Sequence, residues 1–245
     1  MAGYHASMQN FIETTKAMIR PVAPVLARWR FLVLTLVICT WLLLAPVVGG
    51  AWRVELLLEA CMLATLLVTV WANPRLVGLR NTLIVLWLAS VTGTLLSIAT
   101  AEHPAWRWSR SIELLTLVPL MGMLAGGMLV FVLRQRSLTF DSIFATIAAY
   151  LLLAGVFTQI YLCLLTWDPA SFSLPVDVAG RPVHLLHADM TYFSLVTLAT
   201  VGYGDILPVT STARMLAMIE AVTGQFYVAV VVAIFVGMYA RQRLD

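Results

Sequence analysis

Between Thr197 and Asp205 the chain reads TLATVGYGD, a cluster of hydroxyls, glycines and a carboxylate in an otherwise apolar sequence. Gly202 and Gly204 alternate with Val201 and Tyr203. Glycine takes left-handed backbone angles at little cost, so residues of alternating handedness can turn successive carbonyls to the same side. Carbonyls aligned in this way find no partner within their own segment. In a water-free setting each unpaired group is costly, so something must satisfy it. A dehydrated cation can do so. One strip provides too few oxygens to replace a hydration shell, so the chemistry needs several copies facing one another around an axis.

The setting follows from composition. Of 245 residues, 61% are hydrophobic and 11% charged, and the mean hydropathy is +0.93. Soluble domains carry about a quarter charged residues, so a water-covered globule is excluded. A spanning helix needs about 20 mostly apolar residues, and runs of that kind fall at 31–48, 54–72, 76–100, 112–133, 142–166 and 213–240. These predict an all-α integral membrane protein with six transmembrane helices. Cytoplasmic loops collect Lys and Arg. Lys16, Arg20, Arg28, Arg30, Arg75, Arg80, Arg134, Arg136, Arg241 and Arg243 fall on one side of such a bundle. Arg53, Arg107, Arg110, Arg181 and Arg214 fall on the other, which places both termini in the cytoplasm. The net charge of +3 therefore reports topology in a cell membrane and implies no nucleic-acid partner.

Residues 1–30 form a cytoplasmic segment, and the apolar run behind them is too long for a cleaved signal core. Met8, Phe11, Ile12 and Ile19 lie near helical spacing, so 8–20 is either an amphipathic helix on the membrane surface or a basic tail. Cys39, Cys61 and Cys163 fall inside spans and read as small buried hydrophobes. Glu55, Glu59 and Arg80 read as helix-end charges reaching the interface, with a buried ion pair among them as the alternative.

The connection from Trp167 to Thr212 breaks the pattern of short loops. Its first part, with Pro169, Pro175, Gly180 and Pro182, is an exposed extracellular loop. Residues 184–199 lack Pro and Gly, and Leu186, Met190, Phe193 and Val196 or Thr197 recur at helical spacing. That helix is too short to cross, so it and the strip after it form a re-entrant loop. Irregular backbone is tolerated at that depth only inside protein or beside a water-filled cavity.

The string TLATVGYGD, placed after a short helix between two spans, resembles the signature of potassium channels, whose filter is the standard worked example of ion coordination by rings of backbone carbonyls. The resemblance covers residues 140–245 and implies a homotetramer around one pore, with K⁺ as the permeant ion and no cofactor. It implies that main-chain oxygens of Thr200, Val201, Gly202 and Tyr203, with the Thr200 hydroxyl, ring the K⁺ sites. Gly204, Asp205 and Thr197 would support this filter, Tyr203 packing against the pore helix and Asp205 lying at the outer mouth. Tyr192 and Phe193 stand where two tryptophans are common, leaving an aromatic cuff with one donor to Tyr203 fewer. Val196 stands where some members carry a glutamate behind the filter. Residues 213–240 resemble the pore-lining inner helix, with Gly224 at the position of a gating hinge, packing being the other reading, and Gly237 a second candidate.

Glu220 is an ionisable group inside a span, where it costs roughly 2.5–3.5 kcal/mol on insertion scales. It is expected either to bond pore-helix or filter groups, so that Glu220→Gln alters opening or selectivity, or to reach water at the outer interface. The chain then divides into the cytoplasmic segment 1–30, a four-helix peripheral domain 31–136 and a pore domain 137–245. The peripheral domain has the helix count of a voltage sensor, yet its fourth span, 112–133, carries no Arg or Lys. Steep voltage gating is not expected. His184, His187 and Asp189 have spacing that suits a metal or proton site, or simply a solvated cluster. Membrane lipids and identical subunits are the expected partners. An intramembrane enzyme or carrier would need a nucleophile–base pair, HExxH or an internal repeat, and none is present; a non-conducting or weakly selective channel-like protein is the nearer rival.

Overall fold

The computed structural model describes residues 23–44, 51–72, 77–100, 103, 105–135, 137–175, 178–179, 181 and 183–242. The surface helix expected at 8–20 lies outside the described residues, as do the side chains of Glu55 and His184. Helices α1 (Ala23–Leu44), α2 (Ala51–Ala72), α3 (Val77–Ala99), α4 (Trp106–Leu133) and α5 (Phe140–Trp167) are followed by α6 (His187–Leu198) and α7 (Ser211–Gln242). Four stretches, Gly78–Ala99, Trp106–Leu133, Phe140–Trp167 and Ser211–Gln242, are long and apolar enough to cross a membrane. The described side chains of α1 and α2 give shorter apolar stretches, Trp29–Thr40 and Leu56–Val70.

The helices occupy the expected runs, with two revisions. The first begins at Ala23, well before the apolar run at 31. The fourth begins at Trp106, so Arg107 and Arg110 belong to it. Hydropathy misses that turn because it stops at charge, whereas a buried and paired charge is compatible with a helix in the protein interior. Arg110 is such a case: its Nη1 lies 2.8 Å from both Glu113 carboxylate oxygens, and both side chains are almost fully buried.

Packing is most extensive between α4 and α5, then between α3 and α4, with α1 also lying along α5. Leu117, Leu120, Leu124 and Met128 recur at helical spacing on α4 and are fully buried. They meet Ala145, Ala148 and Ala149 of α5, all buried in the same cluster. Small residues let apolar helices approach closely where lipid supplies no hydrophobic drive. Only a short connection, from Arg134 to Thr139, separates α4 from α5. Thr139 caps α5 in a reciprocal capping box with Ser142. Arg30 closes the corner, pairing with Asp141 at 3.1 Å and lying 5.1 Å over the Phe131 ring.

The peripheral helices hold more polar groups than hydropathy suggests. Glu59 is buried and its two oxygens accept from Ser90 and Thr94 of α3, each at 3.1 Å. Ser97 donates to Glu113 at 3.1 Å. Arg80 is exposed. Among the described residues the buried ion pair is therefore Arg110 with Glu113, and Glu59 neither pairs with Arg80 nor reaches the interface. Hydroxyls of α3 supply the partners that sequence spacing within α2 does not reveal.

Candidate functional site

Helix α6 packs between α5 and α7. It ends because the chain turns at Ala199 and Thr200: Thr200 donates to the Thr197 carbonyl at 2.9 Å, and Val201 to the Val196 carbonyl at 2.9 Å. Beyond that turn three residues adopt left-handed φ, Thr200 at 56°, Gly202 at 59° and Gly204 at 81°. They alternate with Val201 and Tyr203, which do not. This is the alternation of handedness that aims successive carbonyls to one side. Among the described residues no hydrogen-bond donor reaches the carbonyls of Thr200, Val201, Gly202 or Tyr203. The strip is also exposed in a single chain, Val201 by 53% and Tyr203 by 71%. Past it, Leu207–Pro208 pairs antiparallel with Phe172–Ser173 and ties the end of the strip to the loop that follows α5.

The two aromatic residues of α6 face different ways. The Tyr192 ring is parallel to Tyr203, with centroids 6.3 Å apart. Its hydroxyl donates to Asp205 Oδ2 at 2.7 Å, and this bond holds the Asp205 carboxyl below the usual carboxylate range. Phe193 turns inward instead and packs edge-on to Tyr161 and Phe172 at 5.2 and 5.3 Å. Of these two aromatic residues only Tyr192 supplies a hydrogen-bond donor, and that donor goes to the Asp205 carboxylate.

Val196 provides no acid behind the strip, but α7 does. Glu220 is fully buried. Its Oε2 lies 2.5 Å from the Tyr161 hydroxyl and its Oε1 2.5 Å from Ser194 Oγ. Ser194 Oγ also lies 2.8 Å from the Ala154 carbonyl. A serine hydroxyl has a single proton to donate, and the Ala154 carbonyl can only accept. All three contacts are satisfied together when Glu220 carries a proton, donates it to Ser194, and Ser194 donates to Ala154. The carboxyl then joins α5, α6 and α7 through one uncharged relay.

One turn further along α7, Gly224 is buried against the end of α6, where a Cβ would collide with the Leu198 carbonyl. Helix α7 runs unbroken from Ser211 to Gln242 through this point. Close approach is therefore a requirement at Gly224 in this conformation, whatever bending it permits. A Cβ at Gly237 meets nothing within 4 Å. We expect Gly224→Ala to lower stability by about 1–3 kcal/mol, the usual cost of overpacking, and Gly237→Ala to leave it unchanged or higher. Thermal melting of the two purified variants measures the contrast.

His187 and Asp189 do not converge. His187 is buried, with its ring nitrogens 3.2 Å from Gln159 Nε2 and 3.3 Å from Thr191 Oγ1. Burial, and then the Arg110 charge, hold its imidazole pKa well below the ordinary value. Asp189 faces Arg181 at 4.0 Å. No metal-ligating cluster occurs among the described residues. Sequence reasoning found Glu220 but not Tyr161 or Ser194, and it passed over Gln225, whose Nε2 donates to Thr200 Oγ1 at 3.0 Å. A polar residue directly after Gly224 was the available signal.

Comparison with known proteins agrees with this geometry. The family model described as Ion channel matches residues 150–241, which run from within α5 through the strip to the end of α7. Two-pore potassium channel 4 of Arabidopsis thaliana is 39% identical over 74 residues, 30% of this chain and 25% of that protein. The chain thus spans a quarter of the plant protein's length. Protein LctB of Bacillus caldotenax is 32% identical over 113 residues, 46% of this chain and 84% of that one. No solved structure matches. With the ion-channel model matched from within α5 to the end of α7 and these two relatives beside it, the chain belongs to the potassium-channel family of ion channels.

Proposed function

We propose that four copies of this chain set their strips around a common axis and pass K⁺ selectively and passively down its electrochemical gradient. The alternating left-handed φ at Thr200, Gly202 and Gly204 carries this reading. Main-chain oxygens of Thr200, Val201, Gly202 and Tyr203 and the Thr200 hydroxyl replace the water that the ion sheds, at several adjacent sites, so that no ion binds too tightly to leave. Gly204, Asp205, Tyr192 and Thr197 hold the strip, with Phe193 and Glu220 anchoring α6 behind it. The C-terminal end of α6 lends its negative dipole end to the cavity below.

Assembly around an axis is supported by the surface of α7. Only Ala213, Glu220, Gly224 and Met238 of this helix are buried within one chain. Apolar side chains such as Phe226, Val232 and Val236 remain more than half exposed. In the proposed channel α1 to α5 and α7 are the six spans, and both termini are cytoplasmic. Trp108 and Trp167, edge-on at 5.1 Å, lie at the outer membrane interface. Residues 31–136 surround the pore domain 137–245.

In this reading voltage does little to the channel, and the charges of α4 support it. Each charge carried across the field is worth about 2.3 kcal/mol per 100 mV. Arg110 and Glu113 are one turn apart on the same helix, so any movement of α4 carries both signs together and leaves only the single charge of Arg107, in its first turn, uncompensated within the helix.

The test is reconstitution of the purified protein in liposomes with matched K⁺ and Na⁺ gradients. K⁺ flux should exceed Na⁺ flux at least about tenfold, equivalent to about 1.4 kcal/mol of preference. Equal fluxes, or none from a stable tetramer under any membrane potential, would sink the reading.

A further inference from the structure

Thr200 is the only non-glycine residue at positive φ among those described. A β-branched side chain avoids that region, so the surroundings must hold it there. Its amide is fixed by the Thr197 carbonyl. Its side chain is fixed from another element: Gln225, 25 positions later on α7, donates through Nε2 to Thr200 Oγ1 at 3.0 Å. The preceding residue, Gly224, explains how α7 comes near enough. Without a Cβ, the helix lies directly on the Leu198 carbonyl, at the base of the strip.

We propose that Gln225 is a positioning residue for the cation site at the cavity end of the strip: its carboxamide locks the Thr200 hydroxyl into the rotamer that coordinates K⁺. The proposal rests on the channel reading above and adds to it a residue outside the signature string. A threonine hydroxyl has two lone pairs. When one accepts from Gln225, χ1 is fixed and the second lone pair is left for the ion. Without the amide, the hydroxyl is free to visit other staggered rotamers, and each subunit loses an oriented oxygen from the ring. The number and placement of oxygens in such a ring bear on the choice between K⁺ and Na⁺, so the bond acts on selectivity. It also ties the innermost site to the position of α7, so a movement of the inner helix that withdraws Gln225 loosens the site.

The experiment compares wild type, Gln225→Leu, Thr200→Val and the double variant in liposomes under a K⁺ and a Na⁺ gradient. Leu preserves the bulk of Gln225 and removes its donor. We expect Gln225→Leu to lower the K⁺/Na⁺ flux ratio roughly five-fold, the factor for loss of an ordinary hydrogen bond. Thr200→Val should lower it at least as far, and adding Gln225→Leu to Thr200→Val should change nothing more, as expected of two residues acting through one contact. A Gln225→Leu ratio equal to wild type, or fully additive losses, overturns the proposal and leaves the channel reading intact. A wild type with no K⁺ preference overturns both. Should Gln225→Leu give too little tetramer to reconstitute, Gln225→Met takes its place. In both, K⁺ protection against thermal unfolding should need higher K⁺ than in wild type. Unshifted protection overturns the proposal.

Discussion

Gly202→Ala is expected to reduce K⁺ flux at least about a hundredfold in liposomes while the protein still folds and assembles. The left-handed conformation at φ 59° costs an L-residue roughly 1–2 kcal/mol. No neighbouring atom of the same chain lies within 4 Å of a Cβ placed there, so the penalty is conformational. In a tetramer the strain recurs in every subunit around one ring. The simplest relief is a return of residue 202 to negative φ, which turns a carbonyl out of the pore lining and leaves an ion without ligands. Four such penalties together come to roughly 4–8 kcal/mol, more than the about 2.8 kcal/mol that a hundredfold loss requires. Size-exclusion chromatography and melting should place the variant near wild type. Retention of wild-type K⁺ flux would remove the alternating strip from its role.

The second large effect is at Glu220, and it depends on which residue replaces it. Glu220→Ala strips partners from the buried Tyr161 and Ser194 hydroxyls. A buried polar group left unsatisfied costs about 1–3 kcal/mol, and the vacated volume adds to the loss. A drop of several kcal/mol in stability is expected, with α6 released from α7 behind the strip. Glu220→Gln behaves differently. Its amide nitrogen can donate to Ser194 and its oxygen accept from Tyr161, reproducing the relay of a neutral acid. Melting temperature and K⁺ flux of Glu220→Gln should stay near wild type. Reasoning from sequence leads to the opposite expectation for Gln, because an acid is taken to be charged unless its partners can be counted. The sharpest check is infrared: a protonated-carboxyl band that disappears in Glu220→Gln. A Gln variant as damaged as Ala would show that Glu220 works as an anion.

Val196 makes the same point about partners. The residue type there says that no acid stands behind the strip. It does not say that one arrives from α7 and reaches Ser194, 26 positions away, and Tyr161, 59 positions away. Arg110 likewise reads as a flanking charge until Glu113 and Ser97 are seen beside it.

What the sequence determined by itself was whatever depends on local order. Apolar runs long enough to cross lipid, the asymmetry of Arg and Lys, a helix too short to span, and glycines alternating in TVGYGD are all properties of neighbours along the chain. They specified the membrane, the helices and the strip. Tertiary structure alone decided which faces meet: that Phe193 turns inward while Tyr192 reaches Asp205, that Gly224 lies on Leu198, that Gln225 holds Thr200. In a helix every residue has the same backbone, so nothing local says which neighbour it will touch. That is settled only when the helices pack together and each buried polar group must find its partner.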